Sequence, residues 1–152
     1  MRVTRRPGGG FRLEGVSEAP IEAVPAATGF AVTGGGSWHL TWEATERGWV
    51  LKRHDGALSE EVGRTTSSSL GAVVAPASLL LEDGRLFRLA ATGLSDPCVE
   101  LSRWEGPGAY LVGRPSGGGW DLERTAAGLA LDAPPELWIL TCAELGRLEG
   151  WS

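Results

Sequence analysis

The stretch that decides the fold is DAPPELWILTCAELGRLEG, Asp132 to Gly150. Asp132 can cap a helix, Pro134 and Pro135 suit its first turn, and Glu136 favours the positive end of its dipole. Gly146 or Gly150 can end it. Leu137, Trp138, Ile139, Leu140, Cys142, Ala143 and Leu145 cover nearly every side of a helix placed at 133–148. A helix apolar all round must be buried all round. It is too short for a bilayer, which takes about 20 apolar residues. Something must surround it, and almost everything upstream reads as sheet.

Upstream, apolar and polar residues alternate from end to end. FRLEGV (11–16), GFAVTG (29–34), SWHLTWE (37–43) and GWVLKR (48–53) each have the period-two pattern of a strand. The last two face each other across ATERG, which makes Trp38 to Arg53 a hairpin. The Asp55–Gly56 dipeptide turns the chain into another strand, and GRTTSSSLG (63–71) reads as a loop or weak edge strand. LGAVVAP (70–76), SLLLED (78–83) and RLFRLAATG (85–93) form a meander. DPCVELSRW (96–104), GAYLVGR (108–114), WDLERT (120–125) and a last strand at GLALD (128–132) complete it. About twelve short strands at spacings of roughly 8 to 12 residues predict a mainly β sandwich or barrel. The expected organisation is one domain, 1–152. Residues 1–10 are a flexible N-terminal segment, 11–132 an antiparallel barrel, and 133–148 the hydrophobic helix it encloses.

Three glycine triplets precede strands, in GGGFRLEG (8–15), GGGSWHLTW (34–42) and GGGWDLERT (117–125). A phosphate-binding loop would lead into a helix and carry Lys or Ser/Thr at a fixed offset. Here a strand follows each time, at unequal separations. The triplets therefore read as turns, for which glycine supplies positive φ.

The 152 residues suit a single core, and 23 glycines fit a chain with many tight turns. The net charge of −5 disfavours nucleic acid and anionic membrane surfaces, whose phosphates need clustered basic groups. Lys52 is the only lysine, an arginine bias that points to a GC-rich, bacterial-type coding sequence. MRVTRRPGGG is basic, but no apolar segment follows it as in a secretory signal, and no apolar run is long enough to span a membrane. Cys98 and Cys142 read as isolated thiols. A soluble, cytoplasmic chain is the expectation.

An array of strands followed by one wholly apolar helix resembles the tubby C-terminal-like superfamily, which includes the LURP-one-related proteins and phospholipid scramblases. GGGSWHLTWEATERGWVLKRHDG (34–56) and GLALDAPPELWILTCAEL (128–145) carry the likeness, which covers almost the whole chain as a pattern. It implies a closed twelve-stranded barrel wrapped around a hydrophobic helix, and a lean towards a binding or membrane-associated role. The phosphoinositide-binding basic cluster of tubby proteins has no counterpart here, since Lys52 and Arg53 stand beside His54 and Asp55. The acidic calcium segment and cysteine-rich tracts of scramblases are not visible either. No lipid-binding residue is carried over.

Candidate chemistry is thin. His39 and His54 are the only histidines and lack Cys or His at metal spacing, so no metal site or cofactor is expected. Cys142 lies within the apolar helix, where a thiol behaves as a small hydrophobe. Glu43, Glu46, Glu60 and Glu61 read as solvated carboxylates, and His54, Asp55 and either Glu60 or Glu61 form a cluster that folding could assemble. No catalytic residue is assigned. Seven tryptophans are the informative excess. Trp38 and Trp42 share a face with Leu40, and Trp49 returns on the partner strand. They read as core, or as an aromatic cleft for an apolar ligand or partner. The candidate binding residues are Trp38, Trp42, Trp49 and His54.

The expected function is a non-catalytic tubby-like binding or scaffold domain with a lipid or protein partner. The competing expectation is a lipocalin-like carrier, or an enzyme, with a hollow barrel and the helix packed outside.

Overall fold

Twelve antiparallel strands close into a barrel in the computed structural model, which describes residues 1–67, 76–92, 98–106 and 108–149. They are β1 (Arg2–Arg5), β2 (Phe11–Glu14), β3 (Ile21–Ala26), β4 (Gly29–Thr33), β5 (Ser37–Glu43), β6 (Gly48–Asp55), β7 (Leu58–Thr66), β8 (Ala77–Leu81), β9 (Leu86–Thr92), β10 (Cys98–Arg103), β11 (Ala109–Ser116) and β12 (Gly119–Arg124). A short helix α1 (Ala126–Ala130) leads to α2 (Pro135–Leu148). Each strand pairs with its neighbours in sequence, and β1 pairs with both β2 and β12. An even number of strands lets an up-and-down meander close antiparallel, leaving no unpaired edge.

The alternation of the sequence becomes the two faces of the sheet. In β2, Phe11 and Leu13 point inward while Arg12 and Glu14 are exposed. In the hairpin β5–β6 the inward pairs are Trp42↔Trp49, Leu40↔Leu51 and Trp38↔Arg53. Between β11 and β12 the two-residue turn is Gly117–Gly118, with φ of +54° and +80°. That conformation matches the twist of the hairpin and strains any residue with a Cβ.

Side chains alone fill a barrel of about eight strands, and a wider one leaves a lumen. Here α2 fills it. Every residue from Glu136 to Gly146 is buried. The helix packs on β6, β7 and β8 and also on β2, from the far side of the ring. Leu137, Ile139, Leu140 and Leu145 are fully buried, each contributing about 1.5–3 kcal/mol. Opposite Leu140 the wall carries Gly63, where a Cβ would come within 2.8 Å of Leu140 Cδ1. The wall is thinned where the helix is thick. The hollow, lipocalin-like arrangement with an external helix is not the one adopted.

Several expectations need correction. Residues 1–10 are not a flexible segment throughout, because Arg2–Arg5 is the strand that closes the barrel: Val3 is buried between Leu13 and Trp120. GLALD is not a strand; most of it belongs to α1, which Thr125 caps by accepting a hydrogen bond from the Gly128 N–H (3.1 Å). Ile21–Ala26 is a strand the alternation did not reveal, since Pro25 and small residues blur its pattern. Of the two readings of GRTTSSSLG, the strand holds for residues 63–66, which end β7, though in a closed barrel β7 is not an edge. The helix starts at Pro135 with Pro134 in the capping position, so Asp132 is not its cap, and it runs on through Gly146 to Leu148. Most of the strand expected at LGAVVAP, and Trp151, lie outside the described residues.

Candidate functional site

The barrel has two mouths, one where α2 enters and one where it ends. At the entry mouth, the pairing of Trp38 with Arg53 turns both side chains inward. Arg53 Nη2 donates to Glu136 Oε1, and Trp38 Nε1 donates to the same oxygen at 3.4 Å. Arg53 Nη2 also reaches Glu82 Oε1 at 3.3 Å. The hydrogen bond to Glu136 outweighs desolvation and holds the guanidinium above its ordinary pKa. Burial of Glu136 is tolerated because its charge is paired and hydrogen-bonded.

A second carboxylate lies deeper. Glu144 is fully buried, two turns further along α2. It accepts from the Thr65 hydroxyl at 2.8 Å, from the Ser67 hydroxyl, and from Arg147 Nε at 3.1 Å. Glu136 and Glu144 together fix the rotation and depth of the helix, since apolar contacts alone are non-directional. Sequence reasoning gave Glu136 only a dipole role and passed over Glu144. A glutamate inside an otherwise apolar helix demands buried donors, and the polar run RTTS (64–67) supplies two of them.

At the exit mouth, Trp42 and Trp49 meet edge to face with centroids 5.3 Å apart, and Phe30 lies 6.0 Å from Trp49. Trp42 is 41% exposed despite sharing the face of the buried Trp38, because it stands at the strand end, on the rim. Beside this cluster, Phe11, Leu40, Trp49, Ala143 and Gly146 line an apolar niche of only about 20 Å³. That volume holds roughly one water molecule and excludes a lipid chain. Of the candidate binding residues, Trp42 and Trp49 are thus together on a rim. Trp38 is at the opposite mouth, tied to Glu136, and His54 is elsewhere.

His54 is exposed on the outer wall, its ring 6.0 Å from that of His39, whose Nε2 is hydrogen-bonded to the Thr28 carbonyl. Asp55, Glu60 and Glu61 are exposed too, and Glu61 is held by Arg64 at 2.5 Å. No hydrogen bond joins an imidazole to any of these carboxylates among the described residues. Glu46 also pairs with Arg64, at 3.2 Å. Cys142 is fully buried, and burial pushes its thiol far above the ordinary range, so no thiolate nucleophile is available there.

Among the described residues no group of three or more His, Cys, Asp and Glu could hold a metal ion, and no helix is long and apolar enough to cross a membrane. No family model matches the chain, and no curated protein or solved structure does either.

Proposed function

We propose that this chain is a tubby-like barrel serving in the cytoplasm as a non-catalytic binding or scaffold domain, which contacts a lipid or protein partner through its outer surface and rim. The observation that carries this reading is the position of α2. It occupies the volume in which a carrier would hold its ligand, and it is locked there by Glu136 and Glu144. The remaining titratable candidates are exposed on the outer wall or paired with arginines. The exposed Trp42, backed by Trp49 and Phe30, is an apolar contact that the surface offers such a partner.

The reading is tested by combining two measurements on the full chain. Native mass spectrometry and organic extraction of the purified protein should recover no stoichiometric lipophilic molecule. A photo-crosslinking residue at position 42 should give discrete adducts in cells that the same residue at position 54 does not. A bound lipophile displaced only on unfolding would establish a carrier. Identical adduct patterns at both positions would remove the rim as the contact. Because no lysine cluster is present, binding to anionic vesicles at physiological salt should be weak.

A further inference from the structure

His39 and His54 are the only histidines of the chain, and the fold brings them together on the outer wall. His39 is on β5 and His54 on β6, both on the face opposite the inward Trp38 and Arg53. In register His39 faces Lys52, which sets His54 one diagonal step away. Long side chains on adjacent strands meet at that spacing. The ring centroids are 6.0 Å apart, with the planes tilted by 60° instead of stacked.

The ring nitrogens are not equivalent. His39 Nε2 is hydrogen-bonded to the Thr28 carbonyl, with the Thr28 hydroxyl oxygen 3.3 Å from the same nitrogen. A carbonyl oxygen can only accept, so Nε2 carries the proton and Nδ1 of the neutral ring presents a lone pair. In metal-ligating histidines a backbone carbonyl on the other ring N–H fixes tautomer and orientation in this way. Among the described residues no hydrogen bond holds the His54 ring, so it can turn towards His39. Two imidazoles bound to one ion at about 2.0–2.1 Å have centroids about 5 Å apart. The observed separation exceeds that by about 1 Å, which a side-chain torsion closes.

We propose that His39 Nδ1 and one nitrogen of His54 chelate a divalent transition-metal ion, with water in its remaining positions. Imidazole donors suit Cu²⁺, Ni²⁺ and Zn²⁺, and Cu²⁺ binds the most tightly of the three. Two protein ligands fall short of the four of a structural zinc centre, so the ion is exchangeable and the fold does not depend on it. Lys52, opposite His39, puts a cation beside the pair, but it is exposed and its stem lets the ammonium stay in water. Glu61, its register partner on β7, offsets that charge. A net charge of −5 raises the local concentration of cations. The pair is away from the Trp42 rim, so this inference stands or falls separately from the rim contact.

The test is Cu²⁺ binding to the full chain in a non-coordinating buffer at neutral pH, read by calorimetry and by electron spin-echo spectroscopy. One ion should bind per chain, with two imidazoles coupled to it. His54→Gln removes no described hydrogen bond and should leave Tm unchanged. It and His39→Gln should each weaken binding about tenfold or more and leave one coupled imidazole, because each removes the chelate. A single coupled imidazole in the wild type, or either variant binding as tightly as wild type, would overturn the proposal. So would two ions per chain, each lost with one histidine, which is the behaviour of independent ligands.

Discussion

Arg53 and Glu136, 83 residues apart in sequence, form an ion pair across the mouth of the barrel. The strand supplies the cation, the first turn of the enclosed helix supplies the anion, and the Trp38 indole donates to the same carboxylate oxygen. The pair joins wall to core with a direction that apolar packing lacks.

Removing Arg53 should therefore cost more than losing a surface ion pair. Arg53→Leu leaves a carboxylate that is 6% exposed with only an indole donor. We expect a loss of about 2 kcal/mol, less than for a wholly buried pair because Arg53 is itself partly solvated. Glu136→Gln, which can still accept from both donors, should cost about 1 kcal/mol, and the double variant less than the two together. Urea midpoints at constant m decide it. A neutral Arg53→Leu would show that the pair does not secure the helix.

Gly63 faces Leu140 where the wall and helix come closest. Gly63→Ala should destabilise by about 1–3 kcal/mol, because a Cβ would press on a side chain with no room to turn away. Leu140→Val in the same chain should recover part of that loss, which makes the two changes non-additive. Simple additivity in denaturant unfolding would argue against this contact.

Glu144 is engaged by two hydroxyls and a guanidinium without access to water. Glu144→Ala leaves those hydroxyls and part of Arg147 unpaired, so a loss of about 2–4 kcal/mol is expected. Glu144→Gln should be milder. Equal destabilisation by Ala and Gln would mean that the hydrogen bonds contribute little beyond shape.

What the sequence made legible follows the range of the interactions. The β5–β6 hairpin, the Asp55–Gly56 turn and the burial of α2 depend on local periodicity and turn chemistry, which the sequence carries. The closing strand β1 is four residues whose partner β12 lies more than a hundred positions away, so no local pattern marks it. GLALD alternates like a strand, but the Thr125 cap and the close fit of Gly128 against the Tyr110 carbonyl make most of it helical. The rim pair Trp42–Trp49 could be seen as a cross-strand pair, whereas the inward turn of Arg53 could not be valued without its distant partner. Polar contacts across the core are the part that periodicity cannot supply.

Cys142 offers a pH test. Burial raises its folded-state pKa above the ordinary 9.0. As pH rises past that value the unfolded chain loses the thiol proton and the folded chain keeps it, so stability falls. The contribution is present in full below the ordinary pKa and fades by up to about 1.4 kcal/mol per pH unit above it. Cys142→Ala should flatten the alkaline limb of a stability–pH curve relative to wild type. Superimposable slopes would mean that Cys142 ionises as readily folded as unfolded. Thiol reagents should likewise modify Cys142 only on unfolding.

The central claim is that the barrel exists because α2 fills it, and deleting α2 tests this most directly. A chain ending before Pro134 should be insoluble, or should show no cooperative transition by circular dichroism and calorimetry, because the inward faces of Leu13, Leu51, Leu79 and Leu101 would then line an empty lumen. A soluble truncate that melts cooperatively would contradict the account.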